Sequence, residues 1–321
     1  MYKQLISEQR SQIFALLQTK TPKKIIAQIV GVSLSTIYRE IKRNQNKTGG
    51  YAHNAHEMAM ERRERIVTNS AVKPEVLKEA IRLLKEKQWS PRQISGYLAK
   101  QGKRISHERI YQEIRADKTG ELAKHTRHGM KYRHHINVKA KKPTKSTIKD
   151  RVSIHDRPAE ADGTRFGDWE LDTIVDANGN AIVTLTERLT NYSVMRYLPH
   201  GKKAEEAAKE IISLMFAFRG SILTITTDNG TEFSAHKIIA EKLKTVVYFA
   251  DSYCSWQKGA IENYNKLVRQ YIPKGTDLST LSSSFIMEVQ KKINDRPREK
   301  LDFSTPKIEF YKKIANFAVA S

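Results

Sequence analysis

Three acidic residues in the second half of this 321-residue chain stand where phosphate chemistry would need them: Asp172, Asp228 and Glu262, the last two separated by 33 residues. Apolar alternation predicts a strand over residues 168–175, and Asp172 lies within it. Asp228 falls just past a strand predicted over 222–227, and Glu262 sits near the start of a helix predicted from 259 to about 271. Carboxylates carried by separate elements can converge on divalent cations, and Mg²⁺ prefers such hard oxygen ligands. Two ions roughly 3.5–4 Å apart would activate the attacking oxygen and stabilise the leaving oxygen of an in-line phosphoryl displacement. Asp168 and Asp176 are rivals to Asp172, because the two-residue period of a strand puts all three on one face.

The elements that must position these residues follow a definite order. Strands are predicted over 168–175, 181–186 and 192–198, the first two joined by an Asn178-Gly179 turn. A helix over 202–219, the strand 222–227, a helix over 232–243 and a strand over 245–250 come next. Three adjoining strands, a helix and a fourth strand make the opening order of the ribonuclease-H-like α/β fold.

The first half reads differently. Helical spacing covers 7–18 and 23–30, ended by Gly31, and Ser33 is a good N-cap for a third helix over 34–42. Three short helices with glycine in the turn make a helix-turn-helix. Ile37 and Ile41 would anchor the third helix, leaving Ser35, Thr36, Arg39 and Arg43 outside to meet DNA. The pattern repeats 73 residues on, where Ser106, Ile110, Tyr111, Glu113 and Ile114 match Ser33, Ile37, Tyr38, Glu40 and Ile41. Helices over 74–87 and from Ser90-Pro91 to about 100 precede that second copy, whose candidate DNA contacts are Arg92, His107 and Arg109. Tyr38 and Tyr111 are expected to pack at the edges of the helical cores.

Charge agrees with this division. Residues 1–150 carry 33 Lys and Arg against 13 Asp and Glu, whereas residues 151–321 carry 24 against 22, for a formal net charge of +22. Such an excess points to a polyanion, since each phosphate contacted by Lys or Arg releases condensed counterions. The domains expected are a helix-turn-helix at 1–50, a charged linker at 51–73, a second module at 74–117, a basic linker at 118–160 and a catalytic domain at 161–321. No secondary structure is expected across 118–151, which would order only on DNA.

Longer motifs surround the three carboxylates: Trp169-Glu170-Leu171-Asp172, Thr227-Asp228-Asn229-Gly230-Thr231-Glu232-Phe233, and Trp256-Gln257-Lys258-Gly259-Ala260-Ile261-Glu262-Asn263. Arg269-Gln270-Tyr271, Pro273-Lys274-Gly275-Thr276-Asp277, Asn294-Asp295-Arg296-Pro297 and Thr305-Pro306 follow. With these motifs the chain resembles, over nearly its whole length, the DDE transposases of bacterial insertion sequences, specifically the insertion-sequence thirty family, relatives of retroviral integrases. The resemblance implies that Asp172, three positions after the Trp, is the first catalytic carboxylate and metal ligand, Asp228 the second and Glu262 the third. It implies Mg²⁺ as cofactor, with Mn²⁺ as a substitute, and Lys266 and Arg269 as DNA contacts on the helical face of Glu262. It further implies binding of the inverted-repeat ends of a mobile element, cleavage and strand transfer into target DNA, a circular intermediate with abutted ends, and a homodimer or higher assembly on double-stranded DNA. Leu171, Ser252, Ser255 and Ile261 depart from the family's pattern, and none removes a ligand.

Two other readings share part of this pattern: a helix-turn-helix regulator with an inactive ribonuclease-H-like domain, and a nuclease that cleaves without joining. His125, His128, His134 and His135 lack paired cysteines, so DNA contact or solvation is expected there rather than zinc. The single cysteine, Cys254, excludes an intramolecular disulfide framework and is read as a loop residue. With no apolar run of signal-peptide or membrane-span length, the expectation is a cytoplasmic, nucleoid-associated protein with neither a membrane partner nor a small-molecule substrate.

Overall fold

Caps and apolar stripes set the helices of the first half in the computed structural model, which describes residues 4–46, 48–70, 72–127, 129–130, 148–252 and 254–320. The chain divides into two compact units, Met1–Lys73 and Pro74–Ser321.

In the first unit α1 (Ser7–Gln18), α2 (Lys23–Val30) and α3 (Leu34–Arg43) form the helix-turn-helix. Gly31 ends α2 in the left-handed conformation, and Ser33 Oγ caps α3 by accepting the Thr36 N–H. Ile13, Ile26 and Ile37 are fully buried in its core, with α4 (Ala55–Ser70) packed on through Ala55. The charged stretch after residue 50 is thus a helix. Glu40 is buried: its Oε1 accepts from Arg10 at 2.6 Å and from Asn44 at 2.6 Å. Tyr38 does not pack as expected; it is 52% exposed, with the Lys23 ammonium 4.8 Å above its ring.

The second unit begins with α5 (Pro74–Lys87), α6 (Pro91–Lys100) and α7 (His107–Ala116), the repeated module. Ser90 and Ser106 cap α6 and α7 as Ser33 caps α3. Within the segment expected to lack secondary structure, Asp117 accepts the Leu122 N–H and starts a one-turn helix, α8 (Glu121–Lys124). Residues 131–147 lie outside the described ones.

The sheet has six strands: β1 (Val152–Ser153), β2 (Asp168–Val175), β3 (Ala181–Glu187), β4 (Ser193–Leu198), β5 (Thr224–Thr227) and β6 (Val246–Phe249). Their order is β1-β6-β5-β2-β3-β4, with β2-β3-β4 antiparallel and β2-β5-β6-β1 parallel. Apart from the added edge strand β1, this is the ribonuclease-H-like arrangement. Alternation splits β2 between two layers. Trp169 and Leu171 enter one core with α9 (Ala204–Met215), α10 (His236–Leu243) and Phe310 of α13 (Pro306–Ala320). Ile174 enters the other, under α11 (Gly259–Val268) and α12 (Ser283–Asn294). Leu171 and Ile261, the two apolar departures from the family pattern, are both fully buried core residues.

Three helices are shorter than their spacing predicts; α10 starts only at His236, after a separate 3₁₀ turn at Thr231–Phe233. After α9 the chain tightens into a 3₁₀ segment, Phe216–Ser221, in which Phe218 stacks on Trp169 at 6.1 Å. α11 stops at Val268, short of Pro273, which no helix can run through.

The repeated helical module is seated against residues 299–303 of its own unit. Arg92 pairs with Glu299 at 2.6 Å and Lys100 with Asp302 at 2.7 Å, on either side of Gly96. A Cβ at Gly96 would stand 2.1 Å from the Phe303 ring, so glycine leaves the socket for that ring. Gly96→Ala should therefore destabilise this contact by about 1–3 kcal/mol. In a double-mutant cycle read by denaturant unfolding, Phe303→Ala should remove most of that penalty; additive effects would disprove the socket.

Candidate active site

The parallel pairing of β2 with β5 aligns Glu170 with Thr226. Asp172 lies two residues further along β2 and Asp228 one residue past the end of β5, close enough for one ammonium, that of Lys258, to reach both. Glu262 joins them from the first turn of α11, and all three line one cavity of about 250 Å³ with Ala250, Asp251, Cys254, Lys258 and Ile261.

Both rivals of Asp172 are used elsewhere. Asp168 is fully buried, held by Arg165 at 2.8 and 3.0 Å and by the Thr224 hydroxyl at 2.6 Å. Asp176 closes the following turn, accepting the N–H groups of Asn178, Asn180 and Leu278 at 2.9 Å each. Asp172 alone of the three opens to the cavity.

Each aspartate is oriented by a neutral donor. Asn265 Nδ2, one turn along α11 from Glu262, donates to Asp172 Oδ2 at 2.8 Å, and the Gly230 N–H donates to Asp228 Oδ1 at 3.0 Å. Asn229 ties the same loop to the residue just past β6, donating to the Ala250 carbonyl at 2.8 Å. A Cβ at Gly230 would stand 2.7 Å from the Glu232 carboxylate, so a side chain there would have to displace that carboxylate. The Lys258 ammonium lies 3.5 Å from Asp172 and 3.2 Å from Asp228. Burial raises the Asp172 carboxyl above its usual range; Lys258 opposes that shift and the Asp228 charge adds to it.

Glu170 holds the α11 end of the site. It is 1% exposed; Oε2 accepts the Ile261 N–H at 2.8 Å and Oε1 accepts Arg188 Nε at 2.9 Å. A carboxylate thereby caps the helix carrying Glu262, at the end where the helix dipole favours negative charge. Burial still pushes the Glu170 carboxyl upward, against those donors.

Of the other residues singled out in the sequence, Lys266 pairs with Glu262 at 2.8 Å, one helical turn away. Arg269 lies just past α11, partly buried, and donates to the Pro273 carbonyl at 3.4 Å. On α3, Arg39 Nε donates to the Ser35 carbonyl at 3.1 Å, and Thr36, Arg39 and Arg43 line a cleft of about 610 Å³ with Arg10, Arg62 and Arg63. On α7, Arg109 pairs with Glu113 at 2.6 Å and the His107 ring meets Tyr111 edge-on. His125 faces Glu121 at 3.6 Å, whereas His128, His134 and His135 lie outside the described residues. Lys258, Asn265 and Glu170 had no role in the sequence reading. None of the three carried a signal of its own, because each acts through distant partners: Glu170 on Ile261 across 91 residues, Asn265 on Asp172 across 93, and Lys258 on Asp172 across 86 and on Asp228 across 30.

No three His, Cys, Asp or Glu side chains among the described residues are gathered, as they stand, to hold a metal ion. The donor set nevertheless suits a hard divalent cation: two carboxylates already share one cation, the Lys258 ammonium, and a third lines the same cavity.

A helix-turn-helix chain with a ribonuclease-H-like sheet and acidic residues beside its central parallel strands defines the transposase and integrase class of proteins. Residues 1–44 match a family described as "Helix-turn-helix domain". The chain is 40% identical to the transposase for insertion sequence element IS4351 of Bacteroides fragilis, over 98% of both chains. It is 31% identical to transposase InsI for insertion sequence element IS30C of Escherichia coli K12, over 94% of this chain and 82% of that one. The catalytic core domain of BIV integrase overlies 47% of this chain and 97% of its own at 16% identity, with a TM-score of 0.37. The chain belongs to the IS30 family of insertion-sequence transposases. No helix among the described residues is long and apolar enough to cross a membrane.

Proposed function

We propose that this transposase cuts and rejoins DNA at the cavity lined by Asp172, Asp228 and Glu262, the three carboxylates serving as ligands for divalent metal. The observation that carries this reading is that Asp172 and Asp228 share one cation, the Lys258 ammonium, and line a single cavity with Glu262. When bound, two Mg²⁺ ions would supply an activated attacking oxygen and charge stabilisation at the leaving oxygen. Asn265 and the Gly230 N–H turn the aspartates inward, and Glu170 sets the height of α11, so the site is organised before DNA arrives. Water is the first nucleophile and a DNA 3′ hydroxyl the second. No covalent link to the protein is needed, because positioning and electrostatics carry phosphoryl transfer.

Ser35, Thr36, Arg39 and Arg43 on α3 read the element ends; His107 and Arg109 on α7 make a second contact, as does Arg92 on leaving Glu299. Lys266 and Arg269 hold phosphates beside the carboxylates. A homodimer or larger assembly in the cytoplasm brings two double-stranded ends to target DNA. Arg39→Ala should weaken binding to the ends by about 1–3 kcal/mol if it reads a base edge. An equal loss on random duplex, in the same fluorescence-anisotropy titration, would make Arg39 a phosphate contact instead.

The whole reading is tested with purified protein and labelled duplexes carrying the element's ends, in Mg²⁺ or in chelator. Metal-dependent nicks and joined products are expected. Specific binding without cleavage would favour a regulator, and cleavage without joining a nuclease.

A further inference from the structure

Asp172 and Asp228 each have one carboxylate oxygen held by a neutral donor. Asp172 Oδ2 is held by Asn265 and Asp228 Oδ1 by the Gly230 N–H. The remaining oxygens, Asp172 Oδ1 and Asp228 Oδ2, face a single cation, the Lys258 ammonium, at 3.5 and 3.2 Å. The Lys258 side chain is only 9% exposed, whereas lysine ordinarily keeps its ammonium in water. It is the last residue of the one-turn segment Ser255–Lys258, directly before the helix that carries Glu262.

A divalent ion shared by these carboxylates would need those same two oxygens, at roughly 2.0–2.1 Å for Mg²⁺. An ammonium cannot stay between them. We infer that Lys258 is the resident counter-cation of the site, holding Asp172 and Asp228 together until divalent metal enters and being expelled by it. This rests on the reading of the carboxylates as metal ligands. Before loading, the ammonium offsets the repulsion of two neighbouring carboxylates and keeps those two oxygens converged. Loading then exchanges one cation for another, and metal affinity is set by that competition.

The test uses the full chain without DNA, titrated with Mn²⁺ in a calorimeter while an amine-acylating reagent is pulsed in and Lys258 modification is read by peptide mass spectrometry. Lys258 should be shielded in metal-free protein and acylated in step with Mn²⁺ occupancy. Lys258→Gln should bind Mn²⁺ on the order of tenfold more tightly, because the ion no longer displaces a like charge. A lysine with a purely structural role predicts the opposite, looser binding as the loop loses two ion pairs. Acylation that stays at its metal-free level in saturating Mn²⁺ overturns the inference without any variant, as does equal or weaker binding by Lys258→Gln. If the wild type takes up no Mn²⁺ and Asp228→Asn changes nothing, the metal-ligand reading itself falls, and the role of Lys258 with it.

Discussion

Asp172→Asn, Asp228→Asn and Glu262→Gln should each lower strand cleavage and joining by at least about 10³-fold, since metal-borne charge stabilisation is worth several kcal/mol at the transition state. Affinity for the element ends should stay within about twofold of wild type, because helix-turn-helix and phosphate contacts supply it. The structure explains why the two activities separate. Asp172 and Glu262 touch Asn265, Lys258 and Lys266, all local to the cavity. Asp168→Asn is the informative contrast. Its carboxylate is spent on Arg165 and Thr224, so that variant should lose stability in a thermal melt before it loses chemistry. Matched losses of cleavage and end binding in the three cavity variants would count against the site.

Glu170→Ala should cost about 3–5 kcal/mol of stability, the range for leaving one partner of a buried ion pair uncompensated. Its carboxylate joins two long-range partners: Arg188, which also donates to the Ala161 carbonyl, and the first turn of α11. Loss of the cap frees the end of α11 that carries Glu262, so cleavage should fall further than unfolding alone explains. Glu170→Gln separates the two effects. Its amide oxygen can still accept the Ile261 N–H, so it should recover most of the cleavage rate per folded molecule while remaining less stable than wild type. Denaturant unfolding gives the first quantity and single-turnover cleavage the second. A Glu170→Gln variant as slow as Glu170→Ala per folded molecule would show that the cap does not set the position of Glu262.

Much of this molecule was legible in one dimension because local rules govern it. Ser33 and Ser106 cap their helices where the repeat places them, Gly31 ends α2, and β2 spans the residues whose alternation announces it. Asp172, Asp228 and Glu262 could be grouped from their spacing and flanking motifs, and the family follows from the same residues. What sequence period alone left open was which of three aspartates on one strand face belongs to the cavity. Asp168, Asp172 and Asp176 are equivalent under a two-residue repeat, and only distant partners, Thr224 for the first, Asn265 for the second and Leu278 for the third, tell them apart. Lys258 and Glu170 belong to that same category. A lysine four residues before a glutamate reads as a solvated charge, and a glutamate two residues before an aspartate as one more acid. Folding β2 against β5 and α11 buries both, and burial turns each into a partner with a definite task, because a charge removed from water must find its counterpart nearby.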